Sequence, residues 1–295
     1  MNDESLPTLF AAADREAVKV QRRLFRLTAS VLLGAIVAAA FGSFSLEHRG
    51  LNFAALGSLL GLAAGLTATY LLDRWSPTKR WYDFRALAES AKSLGWLYAL
   101  GGGDFEIGAR SEEEVRVDFI GRLRKLRQQL APHTPALRDD PVAITDSMVR
   151  ARAAALDERR DAYRSNRLQA QLSWYRRRSS EHGRSARYWG ALTFMSQVAG
   201  FLFAFLRLFE IVSIDLVGIA ATVAVSAAAW LRSHDHAGLA EAYRQTAFEL
   251  SEVEASIGDP VTEAEWATWV ASSEAAMSRE HTSWLARRRH FVEPA

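Results

Sequence analysis

The sequence predicts an all-α membrane protein: two tandem two-helix transmembrane hairpins, giving four spans, with a helical bundle on the cytoplasmic side. Three observations carry this. Long uncharged apolar stretches occur in pairs, basic residues flank the outer ends of each pair, and the same order of segments returns about 160 residues later. The chain has 295 residues and no cysteine, so disulfides and thiolate chemistry are excluded and a reducing compartment is expected. Lys and Arg exceed Asp and Glu by only two (36 against 34), too small a balance for a nucleic-acid binder. The acidic N-terminus MNDESLPTLF has no signal-peptide pattern.

Residues Ala11 to Arg26 read as an amphipathic lead-in helix carrying Arg15, Lys19, Arg22, Arg23 and Arg26. The first span is uncharged from Leu27 to Leu46, with a small-residue stripe at Ser30, Gly34, Ala38 and Gly42. Glu47-His48-Arg49-Gly50 makes a tight turn into the second span, Leu51 to Leu72. At ~1.5 Å rise per residue, a span of this length matches the ~30 Å hydrocarbon core of a bilayer. Gly57, Gly61 and Gly65 fall on one face of that helix, a pattern that lets a second backbone approach closely. Packing within the hairpin accounts for it, and a contact between subunits or a pore lining is the sharper alternative. Arg74, Lys79 and Arg80 follow, so the turn is expected outside and both ends in the cytoplasm.

Ser76-Pro77 reads as a helix start, with the helix running to about Leu100 and stopping at Gly101-Gly102-Gly103. No Gly-Lys-Ser/Thr follows those glycines, so they are not a phosphate loop. A capping box, Ser111-Glu112-Glu113-Glu114, opens a helix whose apolar face is Val115, Phe119, Leu123, Leu126 and Leu130. The Pro-rich connector, residues 132–144, divides a first unit, 11–131, from a second, 145–290. From Thr145 to about Glu181 a long helical pattern contains no Gly or Pro, with Tyr163, Arg167, Gln171 and Trp174 near one face. The arginine cluster Arg176 to Arg178, with Arg184 and Arg187, precedes the third span, Tyr188 to Leu206, and the fourth is about Ile211 to Leu231. Trp75, Trp189 and Trp230 lie at cytoplasmic span ends, where amphipathic rings meet headgroups. A helix then continues to Gly258, and Thr262-Glu263-Ala264-Glu265 caps a last helix bearing Trp266, Trp269, Met277 and Trp284. An even number of spans per half gives both halves the same orientation.

Asp215 is the ionisable residue nearest a span interior. With Gly218, Thr222 and Ser226 it forms a weakly polar stripe. An N-capping Asp followed by small packing residues is one reading, and a cation-attracting pore lining is the other. Arg85, Glu89 and Lys92 share a helix face, either as a solvated salt-bridged face or as a latch between bundle helices or a basic ligand site. Arg176 to Arg178 and Arg287 to Arg289 are expected to face anionic headgroups. His234 and His236 diverge on a helix, so no metal site is expected there. No nucleophile and base pair stands out, and neither an enzyme nor a cofactor is expected.

Three motifs carry a family resemblance. Trp81, Arg85, Ala88-Glu89-Ser90, Lys92 and Trp96 follow the first hairpin. Tyr163, Arg167, Gln171 and Trp174-Tyr175 precede the second. Glu274, Met277-Ser278, Glu280-His281 and Trp284 come at the end. In this order the chain resembles the SLATT family of bacterial two-span domains, as a tandem pair covering about Asp14 to His290. The second copy departs from the pattern around Tyr243-Arg244 and Glu249, where the AES-x-K-x3-W portion is lost. The resemblance implies a pore-forming or membrane-disrupting effector of anti-phage conflict, in the bacterial cytoplasmic membrane, triggered by a separate sensor protein or signalling nucleotide. Its partners would be the bilayer and further copies of itself. A non-conducting scaffold that recruits a soluble partner is the alternative. A housekeeping channel or coupled transporter ranks last, since coupling needs buried ionisable groups at mid-membrane.

Overall fold

The computed structural model describes residues 5–48, 51–130, 143–212, 214–255 and 262–292, with side chains as far as residue 278 except those of Glu47 and His48. Arg49, Gly50, most of the 132–144 connector and Gly258 fall outside the described residues, as do the side chains of Glu280, His281, Trp284 and Arg287 to Arg289. The chain is helical nearly throughout: α1 (Thr8–Gly42), α2 (Phe53–Trp75), α3 (Pro77–Leu100), α4 (Glu112–Leu130), α5 (Asp146–Ala153), α6 (Leu156–Tyr163), α7 (Ala170–Leu208), α8 (Leu216–His234), α9 (His236–Ala255) and α10 (Glu263–Val292). Among the described residues, four helical stretches are long and apolar enough to cross a membrane: Thr8–Gly42, Phe53–Trp75, Leu156–Leu208 and Leu216–Ala255. The expected all-α membrane fold is the one observed. The first turn adds a two-residue antiparallel ribbon, β1 (Glu47–His48) with β2 (Leu51–Asn52), pairing Glu47 with Asn52 and His48 with Leu51.

Local chemistry explains the helix ends. Asn52 caps α2 by accepting from the Ala55 amide. Both expected capping boxes form: the Glu114 amide donates to Ser111 Oγ while the Ser111 amide donates to the Glu114 carboxylate, and Thr262 and Glu265 repeat the exchange. At the triple glycine, the Gly102 amide reaches Leu97 O (2.8 Å) and the Gly101 amide reaches Tyr98 O (3.4 Å), with Gly101 at φ +74°. That paired closure needs a left-handed residue, which glycine supplies without Cβ strain. Pro77 is the first residue of α3, as expected, but Ser76 does not cap it. Ser76 takes a left-handed conformation (φ 41°) and its hydroxyl donates back to Asp73 O, so it closes α2.

The chain divides into two compact units, residues 1–20, 78–178 and 242–295 in one, and 21–77 with 179–241 in the other. Each draws on both halves of the sequence. The first has an aromatic core: Phe84, Trp96, Tyr98, Phe105, Phe119, Tyr163 and Trp266 pack with Leu9 and Ala13 of α1. Tyr98 stacks on Phe119 at 4.4 Å, and Phe105 meets both rings edge-on. The second unit is built the other way round. Leu59, Leu60, Leu62 and Leu66 of α2 and Phe194, Met195, Phe201 and Leu202 of α7 are all exposed. So much outward apolar surface is untenable in water and is what a helix facing lipid requires.

Within the second unit the hairpins share one orientation. Phe25, near the start of the first span, lies 6.3 Å from Trp230, at the end of the fourth. Trp230 lies 5.6 Å from Trp189, at the start of the third. Arg23 sits over the ring of Trp75, at the end of the second. The basic, Trp-bearing ends of all the spans therefore gather together, and both turns lie at the opposite end.

Candidate functional site

The first unit contains an unusual object for a helical bundle, a fully buried ion pair. Glu274 on α10 has a side chain only 2% exposed and Arg167 only 3%. Arg167 binds it bidentately, Nε to Oε1 at 2.9 Å and Nη2 to Oε2 at 2.7 Å. Tyr163 donates its hydroxyl to Oε1 (3.0 Å), and Ser93 of α3 donates to Oε2 (2.7 Å). The carboxylate is thus held from both α3 and the α6–α7 junction. Burial works against the charged Arg167, and the adjoining Glu274 carboxylate more than offsets it, so the guanidinium pKa rises. Burial is also the main reason the Tyr163 hydroxyl is pushed well above its ordinary value, with the negative Glu274 adding to it.

The backbone around Arg167 is adapted to this job. Residues Arg164–Gln169 form a π-helical turn between α6 and α7. A π turn adds a residue to the helical cycle and rotates the side chains after it. Here Arg167 and Leu168 are both turned inward. The Tyr163 ring is clamped edge-on by Trp96 (6.0 Å), Trp266 (6.0 Å) and Trp269 (5.6 Å). Among the described residues, Arg167 Nη1 is buried without a hydrogen-bond partner, so its desolvation is incompletely repaid.

The structure therefore brings together Trp96 from the first motif, Tyr163 and Arg167 from the second, and Glu274 from the last. Arg85, Glu89 and Lys92 form a neighbouring group. Arg85 bonds Glu89 one turn on and Asp14 of α1 at 3.0 Å, while Lys92 lies 5.4 Å from the Phe10 ring of α1. That geometry ties α1 to α3 rather than leaving a solvated face. Trp81 packs on the aromatic core, and Trp174 meets Tyr243 of α9 edge-on (5.4 Å). Gln171 is half-buried on α7. A groove of about 310 Å³ opens beside the ion pair, lined by Ser93, Glu274, Asp104, Arg122 and the backbone of Gly102 and Gly103.

Sequence reasoning missed two further buried arginines. Arg152 of α5 donates to Tyr98 O (2.9 Å) and Phe105 O (2.8 Å) and pairs with Glu112. Arg159 of α6 donates to Leu100 O (2.8 Å) and Ala154 O (3.1 Å) and pairs with Glu263. Leu100 O also accepts from Trp266 Nε1 at 2.7 Å. The carbonyls left over where α3 ends are thereby satisfied by side chains from α5, α6 and α10. A signal was available: Met148, Arg152, Arg159, Tyr163 and Arg167 fall at helical spacing on one face, so arginines occupied positions expected of apolar residues. The unbroken helix expected from Thr145 to Glu181 is in fact broken at Ala154 and Ala155, both extended, where the Ala154 carbonyl turns to Arg159.

The second unit holds the remaining candidates. A Cβ on Gly61 would lie 2.7 Å from Gly34 O and 3.0 Å from Ala38 N, and one on Gly57 would meet the Phe41 ring at 2.5 Å. On Gly65 it would find Val31 O at an ordinary 3.7 Å. The glycine stripe thus packs on α1 within its own hairpin, centred where Gly61 meets Gly34. Asp215 caps α8 by accepting from the Gly218 amide (3.2 Å) and pairs with Arg207 at 3.0 Å. It stands at the turn end, away from the basic rim. Thr222 donates to Gly218 O, and Ser226 is buried beside Ala224 and Ala227. His182 Nδ1 lies 2.9 Å from His236 Nδ1, and burial holds the His236 imidazole below its ordinary value.

Comparison with known families returns two matches in tandem. The family model "SMODS and SLOG-associating 2TM effector domain 3" matches residues 7–160, and "SMODS and SLOG-associating 2TM effector domain 1" matches residues 163–284. No curated protein and no solved structure matches the chain.

Proposed function

Since the chain belongs to the SLATT family of two-transmembrane effector domains, present as a tandem pair, we propose that it is a pore-forming or membrane-disrupting effector of bacterial conflict, held closed by its helical bundle. It would reside in the cytoplasmic membrane with both termini in the cytoplasm and perform no catalytic step of its own. A separate sensor protein or signalling nucleotide would release it. The observation that carries the reading is the buried Glu274 carboxylate, held by Arg167, Tyr163 and Ser93. A buried pair of this kind has two stable conditions, fully assembled or fully solvated, because removing one partner leaves a charge stranded in the core. It is therefore suited to a latch that opens all at once. The spans pair through small residues that leave little room for a lumen, so conduction would require several copies.

The test is dye release from sealed vesicles holding the full chain. Wild type is expected to keep carboxyfluorescein inside, and Glu274→Gln or Arg167→Gln to release it. Circular dichroism on the same samples verifies that the helices persist. If the variants stay helical and the vesicles stay sealed, the pore reading fails.

A second reading, a non-conducting scaffold that recruits a soluble partner, is favoured by one observation. The Gly57, Gly61 and Gly65 face is already occupied by α1 of the same hairpin and is not free to join another subunit. Under that reading the Glu274→Gln variant would lose partner pull-down without leakage.

A further inference from the structure

Arginines in the two units are used differently. In the first unit Arg85, Arg110, Arg122, Arg152, Arg159 and Arg167 each pair with a carboxylate. In the second unit Arg22, Arg23, Arg26, Arg74, Arg184, Arg187 and Arg232 are all exposed, and no ion pair among the described residues joins any of them to a carboxylate. Acidic residues are at hand and are not recruited: Asp73 adjoins Arg74, and the Asp235 carboxylate turns toward Gly238. These arginines also share one end of the unit. Arg23 sits 3.2 Å over the Trp75 ring, which brings Arg22, Arg26 and Arg74 together. The contacts of Trp230 with Phe25 and Trp189 bring Arg232, Arg184 and Arg187 to that same end. The opposite end has Glu210 and Asp215, and its one described arginine, Arg207, is paired with Asp215.

We propose that this rim is a binding surface for anionic phospholipid headgroups. Unpaired guanidiniums immediately beyond uncharged spans stand at the level of lipid phosphates, and the planar fork suits a phosphate's oxygens. Trp75, Trp189 and Trp230 place amphipathic rings at the same depth, as a headgroup interface requires. Stacking on Trp75 fixes Arg23 in place while leaving its N–H edges to donate outward. Among the described residues no carboxylate pairs with these guanidiniums, so the partner is an anion from outside, and the adjoining apolar helices make it a lipid anion. The inference rests on insertion of the spans and not on conduction, so a sealed vesicle in the dye assay leaves it standing.

The test uses the full chain in a neutral detergent, titrated with dihexanoylphosphatidylglycerol, with dihexanoylphosphatidylcholine or with inorganic phosphate. The apparent Kd is read from the rise in Tm. The glycerol lipid is expected to raise Tm, the choline lipid and free phosphate to leave it unchanged, and 0.5 M NaCl to weaken the effect. Near a charged surface each basic residue contributes about fivefold, so Arg22→Gln, Arg26→Gln and Arg74→Gln together should raise Kd on the order of a hundredfold. The control Arg124→Gln with Lys125→Gln, both exposed in the first unit, should not move it. Equal stabilisation by both lipids, an unmoved Kd in the triple variant, or free phosphate matching the lipid overturns the proposal. Should the triple variant fail to fold, a salt-independent lipid effect on wild type overturns it equally.

Discussion

The glycines of α2 make a graded prediction. Gly57, Gly61 and Gly65 are indistinguishable in sequence, yet an added methyl meets different surroundings at each. At Gly61 it would press on the α1 backbone at two points, Gly34 O at 2.7 Å and Ala38 N at 3.0 Å, and backbone cannot swing away. At Gly57 it would meet the Phe41 ring, a partly exposed side chain that can turn aside. At Gly65 it would meet only Val31 O at 3.7 Å, an ordinary contact. Replacing a helical Gly with Ala gains about 0.8–1 kcal/mol in helix propensity. Overpacking a tight contact costs about 1–3 kcal/mol. Gly65→Ala should therefore be neutral or stabilising by up to about 1 kcal/mol, and Gly61→Ala should lie about 1–3 kcal/mol below it, since the propensity gain cancels between them. Gly57→Ala falls between. Reversible unfolding in mixed detergent micelles, followed by circular dichroism, gives the three values. If the three substitutions prove equivalent, or Gly65→Ala is the worst, α1 and α2 do not meet through Gly61, and the stripe must face something else.

Other outcomes follow from single interactions. Glu274→Gln or Arg167→Met alone should destabilise by about 3–5 kcal/mol, while the double replacement with Met at both positions should recover most of it, because no charge is then left stranded; a double variant as unstable as the sum refutes the pairing. Burial depresses His236, with Asp235 opposing more weakly, so the unfolded chain takes up the proton first as pH falls. That contribution is whole above the ordinary imidazole value of 6.5 and declines below it. The loss of Tm between pH 7.5 and 5.5 should shrink in His236→Gln, and an unchanged slope would refute the assignment. Removing either capping box, Ser111→Ala or Thr262→Ala, should cost about 0.5–2 kcal/mol in thermal unfolding.

How much was legible in the sequence follows from which forces act locally. The spans, the capping boxes at Ser111 and Thr262 and the Gly101 stop depend on length, charge and a few adjacent residues, and all were readable. The parallel disposition of the hairpins followed from counting spans, and the meeting of Phe25, Trp189 and Trp230 bears it out. Asp215 carried two readings, and its bond to the Gly218 amide places it as an N-cap paired with Arg207. What stayed hidden depends on partners far away in sequence. The motif residues Tyr163, Arg167 and Glu274 could be picked out, but not that one carboxylate joins them across more than a third of the chain. Arg152 and Arg159 share a helical face with Tyr163, but nothing nearby in sequence announces the carbonyls of Tyr98 and Leu100 that they reach. The break at Ala154 has no Gly or Pro to mark it, and the π turn at Arg164–Gln169 has no sequence signature; each coincides with an arginine that reaches a distant partner, Arg159 to Leu100 O and Arg167 to Glu274.

The two family matches meet between residues 160 and 163, but the compact units do not. A two-span domain that stood alone would keep its core within its own segment. Here the first unit closes around Trp96, Phe105 and Phe119 from the first copy and Trp266 and Val270 from the second, all of them buried. Leu100 O, at the end of α3, is satisfied by Trp266 from the second copy as well as by Arg159 from the first, and Ser93 needs Glu274. Cutting the chain at 161–162 would therefore strand aromatic surface and buried polar groups in both pieces, whereas a true pair of independent domains would tolerate the cut. Residues 1–161 and 162–295 expressed separately should each be protease-sensitive in detergent, while co-expression should restore the protected core and co-purification of the two pieces. Protection of either piece alone, at the level of the intact chain, would mean that each copy builds its own core and that the Ser93–Glu274 contact contributes nothing to joining them.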